Sequence, residues 1–184
     1  QRFDLASVLW QRILDESGDV LRTSDGRLYT ALANEVESLL KQMPEEARTI
    51  YRIKADGEAQ ALLAQAEGEN GETQLGKIVR RYFMSSFGDD AAYQLACIAL
   101  DRHDFVGARR LLERVLHEHP DASVPRGALL LRHAVAAARS GDLDAAKQSL
   151  AQARREPDLD DADLVARVEE VVAAASSDAY HQAL

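Results

Sequence analysis

The side chains that could carry chemistry are few, and their spacing works against it. His117-Glu118-His119 offers two imidazoles, but residues two apart on a helix point about 200° from each other and do not share a metal ion. In a last helical turn before Pro120 they suit the negative end of the helix dipole instead. Cys97 and His103 lie on either side of a helix end, and Cys97 stands between Leu95 and Leu100, so it reads as a small packed residue rather than a nucleophile. Asp158, Asp160, Asp161 and Asp163, following Glu156, lack the central glycine and closing glutamate of a calcium loop. They read as solvated carboxylates opening a helix. Gly68-Glu69-Asn70-Gly71 is not followed by Lys-Ser and is an interhelical turn, not a phosphate loop. The sequence therefore assigns no catalytic residue, no metal ligand and no cofactor.

Arginines form the one suggestive set. Arg80 and Arg81, with Arg109 and Arg110, make a candidate basic strip for an acidic peptide or for another part of a parent chain. Arg114, Arg126 and Arg132 extend the set. The competing reading scatters these arginines on outer helix faces, paired with Asp101, Asp104, Glu113 and Glu118. The whole chain carries 22 Lys+Arg against 31 Asp+Glu, net −9 over 184 residues, which repels phosphate backbones and argues against nucleic acid as a partner. A single cysteine makes neither an internal disulfide nor a cysteine-based zinc site and says nothing of compartment. No apolar run approaches the roughly 18 residues of a membrane span, so no insertion is expected, and no basic-then-apolar leader opens the chain. The chain starts at Gln1, directly in an apolar pattern, and reads as a piece of something longer whose upstream signal peptide is left open.

The elements that must position these residues are helices. The chain is 46% hydrophobic but only 5% aromatic, with 31 alanines and 24 leucines, the composition of closely packed helices. Phe3, Leu5, Val8, Leu9, Ile13 and Leu14 mark a first helix that stops at Ser17-Gly18. Residues 20–29 contain Asp25-Gly26, a two-residue hairpin signal, and read equally as a small β-hairpin or an irregular loop. A second helix runs from Tyr29 to about Met43, and Pro44 opens a third that reaches Ala66, with a weakness at Gly57. Further helices are expected at 72–86, 89–102, 105–119, 125–140 and 143–156, with a last one over 161–175 and a frayed tail from Ser176. Gly88 and Gly141 are placed for left-handed C-terminal positions, and Asp89, Asp104 and Asp142 for N-caps.

The second half repeats itself at a period of about 34 to 38 residues. Leu95-Ala96, Ala99, His103-Asp104-Phe105, Ala108, Leu112, Val115 and Pro120 align with His133-Ala134, Ala137, Gly141-Asp142-Leu143, Ala146, Leu150, Ala153 and Pro157. This pattern resembles the tetratricopeptide repeat, with small residues where paired helices cross, a turn position held by glycine or here by His103, and a closing proline. The implied fold is all-α, a right-handed superhelix of antiparallel helix pairs, with one small β-hairpin near 20–29. It is read as a single domain over 1–184: N-terminal helices in 1–66, helix pairs in 72–157 with the best copies at 89–122 and 127–158, and a capping helix at 161–175.

A second resemblance rests on Arg12-Ile13-Leu14-Asp15, Asp25-Gly26-Arg27-Leu28-Tyr29, Met43-Pro44-Glu45-Glu46-Ala47-Arg48, Val79-Arg80-Arg81-Tyr82-Phe83 and Phe105-Val106-Gly107-Ala108-Arg109-Arg110. These stretches are similar to the helical region that precedes bacterial β-propellers of the pyrroloquinoline-quinone-repeat type. That resemblance implies an interaction scaffold in the periplasm or cell envelope, with the cytoplasm as the alternative; the blades and any quinone site are absent from these 184 residues.

From the tetratricopeptide-like alignment, the inner helix of each pair lines a groove. The inward positions are Asp90, Tyr93, Cys97, Leu100 and Asp101 from one block and Ala128, Leu131, Val135, Ala138 and Arg139 from the next. Tyr93 and Leu100 supply apolar contact, while Asp101 and Arg139 are placed to clamp polar groups of an extended or helical peptide; Asp90 and Leu131 complete the candidate partner-binding set. His133 is the one histidine on an inner helix and falls at a packing position, so the chain is not expected to be an enzyme. The expectation is a non-catalytic scaffold for a protein or peptide segment; the alternative is a structural arm packed against its own downstream domain.

Overall fold

The computed structural model describes residues 3–23, 26, 29–68, 70–157, 159 and 161–177. Asp25, Glu69, Asp158, Asp160 and the tail beyond Ser177, all singled out by the sequence, lie outside the described residues. Among the described residues the fold is all-α apart from one small hairpin. Its elements are α1 (Phe3–Glu16), β1 (Leu21–Arg22), β2 (Thr30–Ala31), α2 (Leu32–Gln42), α3 (Glu45–Gln65), α4 (Gly71–Arg81), α5 (Gly88–Asp101), α6 (Phe105–Glu118), α7 (Arg126–Arg139), α8 (Leu143–Ala153) and α9 (Ala162–Ala175). They gather into two compact units, Gln1–Ala92 and Tyr93–Leu184, with the boundary inside α5.

In the first unit α1 packs on α2, α3 and α4, and α3 packs on α4. Helix α3 buries Ala47, Tyr51, Ala55 and Ala59, one residue per turn, so three small side chains let its neighbours close in around a single large one. The Tyr51 hydroxyl donates to Gln11 Oε1 at 3.0 Å, which satisfies the one polar atom that burial would strand. Gly57 interrupts nothing: α3 is continuous through it. The hairpin pairs Leu21 with Ala31 and Arg22 with Thr30. Residues 23–29 separate its strands, and the Asp25-Gly26 signal falls in that stretch, Asp25 itself lying outside the described residues. Because Thr30 and Ala31 are spent on pairing, α2 begins at Leu32 rather than Tyr29.

Helix α4 ends at Arg81, short of Ser86 as the periodicity suggests, and the reason is tertiary. Tyr82, Phe83, Met84 and Ser85 are all buried in the turn that follows, and α3 holds that turn: Asp56 accepts from Ser86 N at 2.9 Å and from Ser86 Oγ at 2.8 Å. Gly88 is not a left-handed cap. It opens α5 where a Cβ would stand 1.9 Å from the Phe83 carbonyl oxygen, so only glycine allows this approach. Asp89 consequently lies within the first turn of α5 instead of capping it.

In the second unit α7 is central, packed against α6, α8 and α9. The core joins Leu130, Leu131, Ala134, Ala137 and Ala138 of α7 to Ala146, Leu150 and Ala153 of α8 and to Val168, Val172 and Ala175 of α9. The alanines expected at the crossings, Ala96, Ala108, Ala134 and Ala146, are each 0% exposed, and side chains this small leave room for helices to pack closely. The two repeat blocks turn the same way. Asp104 N bonds Ala99 O at 2.8 Å while His103 N bonds Leu100 O at 3.0 Å; Asp142 N bonds Ala137 O at 2.9 Å while Gly141 N bonds Ala138 O at 3.3 Å. Each is a Schellman turn, with φ +64° at His103 and +89° at Gly141. Asp104 and Asp142 then cap the next helices, accepting from Gly107 N and Ala145 N, and Asp161 caps α9 through Leu164 N.

Candidate functional site

The face α7 leaves open is a single stripe. Nine of its residues are buried; the accessible ones beyond its first residue are Ala128, Arg132, Val135 and Arg139, one or two turns apart on the same side. Its sequence folds this way because Pro125 starts the helix, with Leu129 N bonding the Pro125 carbonyl, and because three leucines and four alanines point the remainder inward.

Arg132 is the organised member. Its guanidinium carbon sits 4.9 Å from the centroid of the Tyr93 ring on α5, a cation–π contact, and its Nη1 donates to Ala128 O at 3.4 Å. Tyr93 is half-buried, and burial raises its phenol above the ordinary range; the Arg132 charge acts against that, while Cys97, within hydrogen-bond reach, adds to it. Cys97 and Leu100 are half-buried beyond the ring, and Asp101 and Arg139 are exposed at the ends of their helices. The result is an apolar floor with a stacked guanidinium at its centre and a solvated one two turns away.

Two of the residues expected to line a groove do not. Leu131 is 1% exposed and Ala138 is 0%, both inside the core against α8 and α9. The register of the repeat alignment puts Leu131 opposite Tyr93, but packing of α7 on three helices rotates that position inward and brings Arg132 to the surface. Asp90 lies on the first-unit side of the boundary in α5. The candidate basic strip draws on both units. Arg109 is held by Glu113 at 3.2 Å and by Asp142 at 3.0 Å, Arg110 is exposed on the neighbouring side of α6, and Arg80 stands 3.8 Å from Asp19 in the first unit, where Arg81 also lies. Arg109 and Arg80 thus each meet a carboxylate. Arg132 is the site residue that sequence reading left among the generic arginines; its signal is the i, i+7 spacing to Arg139 on a helix otherwise free of exposed charge beyond its first residue.

His133 lies behind this face, 6% exposed. Its Nδ1 is 2.8 Å from Ser149 Oγ and its Nε2 is 3.3 Å from Glu113 Oε1. A carboxylate only accepts, so Nε2 carries the proton and Nδ1 accepts from the serine hydroxyl. The order of groups is that of a serine triad, yet Ser149 is itself 7% exposed, so the relay ties α6, α7 and α8 together in the interior. Burial pulls the imidazole below its ordinary pKa, and Glu113 opposes the shift. His119 is not in the last turn of α6; it is the extended C-cap residue, 8% exposed, 3.8 Å from Asp121. Among the described residues no group of three or more His, Cys, Asp or Glu is arranged to hold a metal ion, and no helix is long and apolar enough to cross a membrane.

Residues 99–168, from the end of α5 into α9, match the family model of the tetratricopeptide repeat. That stretch is a tetratricopeptide-like helical repeat region, of the kind that commonly mediates protein–protein interaction. No curated protein and no solved structure matches the chain.

Proposed function

We propose that this repeat region is a non-catalytic scaffold that holds an acidic peptide or protein segment on the open stripe of α7 beside Tyr93. The observation that carries the reading is the Tyr93–Arg132 stack with Arg139 two turns away: two cations about 10 Å apart along one helix, over half-buried apolar side chains, in a chain whose net charge is −9. A guanidinium already stacked on an aromatic ring loses little freedom on meeting a carboxylate, which favours binding. Val135 and Leu100 supply the apolar contact that makes such a site more than a charge pair.

The test is to pan a displayed peptide library on the immobilised chain and measure the recovered peptides by fluorescence anisotropy. Acidic segments are expected, and Arg132→Ala with Arg139→Ala should weaken them by about tenfold or more while helicity is unchanged. Binding that survives the double substitution refutes the site. The finer reading, a module of a bacterial envelope protein with a propeller downstream, has the resemblance of residues 12–110 as its support. Translating the gene on both sides of this segment tests it: a signal peptide before and glycine- and tryptophan-rich blades after would bear it out.

A further inference from the structure

Helix α1 is apolar on two sides, and the fold uses one of them. Leu14 is buried and Phe3, Trp10 and Ile13 are half-buried toward the first unit's core. Leu5 and Leu9 point the other way and are 45% and 60% exposed, and Val8, 49% exposed, stands at the edge of that face next to the α3 side chains Tyr51 and Lys54. Sequence periodicity merges Phe3, Leu5, Val8, Leu9, Ile13 and Leu14 into one stripe, but the structure splits it. Except for Val106, every exposed large apolar side chain among the described residues belongs to the first unit. A helix that is hydrophobic on both faces requires something on the second.

We propose that the second face of α1 pairs with α1 of a second copy, antiparallel about a two-fold axis through Val8. The charges on the face select this occupant. Asp4, Val8 and Arg12 form one i, i+4, i+8 row on the helix, an acid, an apolar residue and a base in sequence. Antiparallel packing through Val8 sets Asp4 of each copy against Arg12 of the other; parallel packing would set like against like. In the adjacent row Leu5 and Leu9 of one copy alternate with Leu9 and Leu5 of the other, a continuous apolar ladder. Antiparallel axes also align the two helix dipoles head to tail. The bond Arg12 gives up is its pair with Glu16 at 3.1 Å, with both side chains more than half exposed, and such surface pairs hold their partners weakly.

Sedimentation equilibrium of the whole chain, from micromolar to near-millimolar concentration, decides the matter. A monomer–dimer equilibrium is expected, with Leu9→Glu raising its dissociation constant by about tenfold or more. Arg12→Asp should weaken it too, and combining Arg12→Asp with Asp4→Arg should restore it, because the exchanged charges meet again across the two-fold. These side chains are exposed, so circular dichroism is expected to stay unchanged in each variant. A chain that remains monomeric throughout overturns the pairing and leaves the face to a different partner's helix; a dimer indifferent to Leu9→Glu places the contact elsewhere and overturns it equally.

Discussion

His103 and Gly141 hold the same left-handed position in successive Schellman turns, one with an imidazole side chain and the other with none. A side chain at positive φ crowds its own carbonyl, and glycine avoids that. The His103 ring recovers part of the cost by meeting Phe105 edge-on, with centroids 5.7 Å apart. His103→Gly is expected to raise stability by about 0.5–1 kcal/mol, and Gly141→Ala to lower it by about 1 kcal/mol, both read from thermal or urea denaturation. A His103→Gly chain no more stable than the original would show that the Phe105 contact outweighs the backbone strain.

Asp142 works at both ends of its carboxylate, capping α8 through Ala145 N and binding Arg109 of α6. Asp104 is the matching cap of α6. Asp142→Ala should cost about 1–2 kcal/mol and Asp104→Ala about 1 kcal/mol. A double-mutant cycle of Asp142→Ala with Arg109→Ala should return a coupling of about 0.2–1 kcal/mol, the size of a partly exposed pair. Zero coupling would mean that the cap alone accounts for the residue.

His133 predicts a pH dependence. The folded chain holds the imidazole proton less tightly than the unfolded chain, so protonation favours unfolding. The contribution is complete above the unfolded value near 6.5 and is lost as pH falls through the lower folded value. Urea midpoints measured across pH 5 to pH 8 should fall on the acid side, and His133→Gln should flatten that limb. An unchanged acid limb in the variant would remove His133 as its cause.

Ala134 and Ala146 are 0% exposed where α7 meets its neighbours. Ala134→Leu should destabilise by about 1–3 kcal/mol through overpacking, whereas Ala151→Leu, on the exposed side of α8, should leave the denaturation midpoint within about 0.5 kcal/mol of the original. Equal effects at the two positions would contradict the close crossing.

Much of the fold is legible because its causes are local. Pro44 and Pro125 start helices, Asp104 and Asp142 cap them, and Gly141 ends one, each acting on backbone groups within a turn of itself. The repeat shows through for the same reason, since alanines at the crossings recur with the period of the unit that needs them. The hairpin was half legible. Asp25-Gly26 announces a turn, but the pairing of Leu21 with Ala31 depends on where α1 and α2 leave the chain ends.

The sequence by itself determined that this chain is helical, where its helices begin and end to within a few residues except at the end of α4, and that its second half is built from two related helix pairs. Hydrophobic period, capping and turn chemistry are properties of neighbouring residues and need no knowledge of the rest. Only the tertiary structure decided which side of each helix is spent on the core. Leu131 went inward and Arg132 outward because three helices close around α7, and Leu5, Val8 and Leu9 stayed outside because α2, α3 and α4 cover the other side of α1. The burial of Tyr82 and Phe83 in a turn, and the pairing of Arg109 with Asp142, follow from contacts between elements far apart in the chain. A one-residue step turns a helix by about 100°, enough to exchange a core position for a binding position, and no pattern along a single helix records which neighbours it will meet.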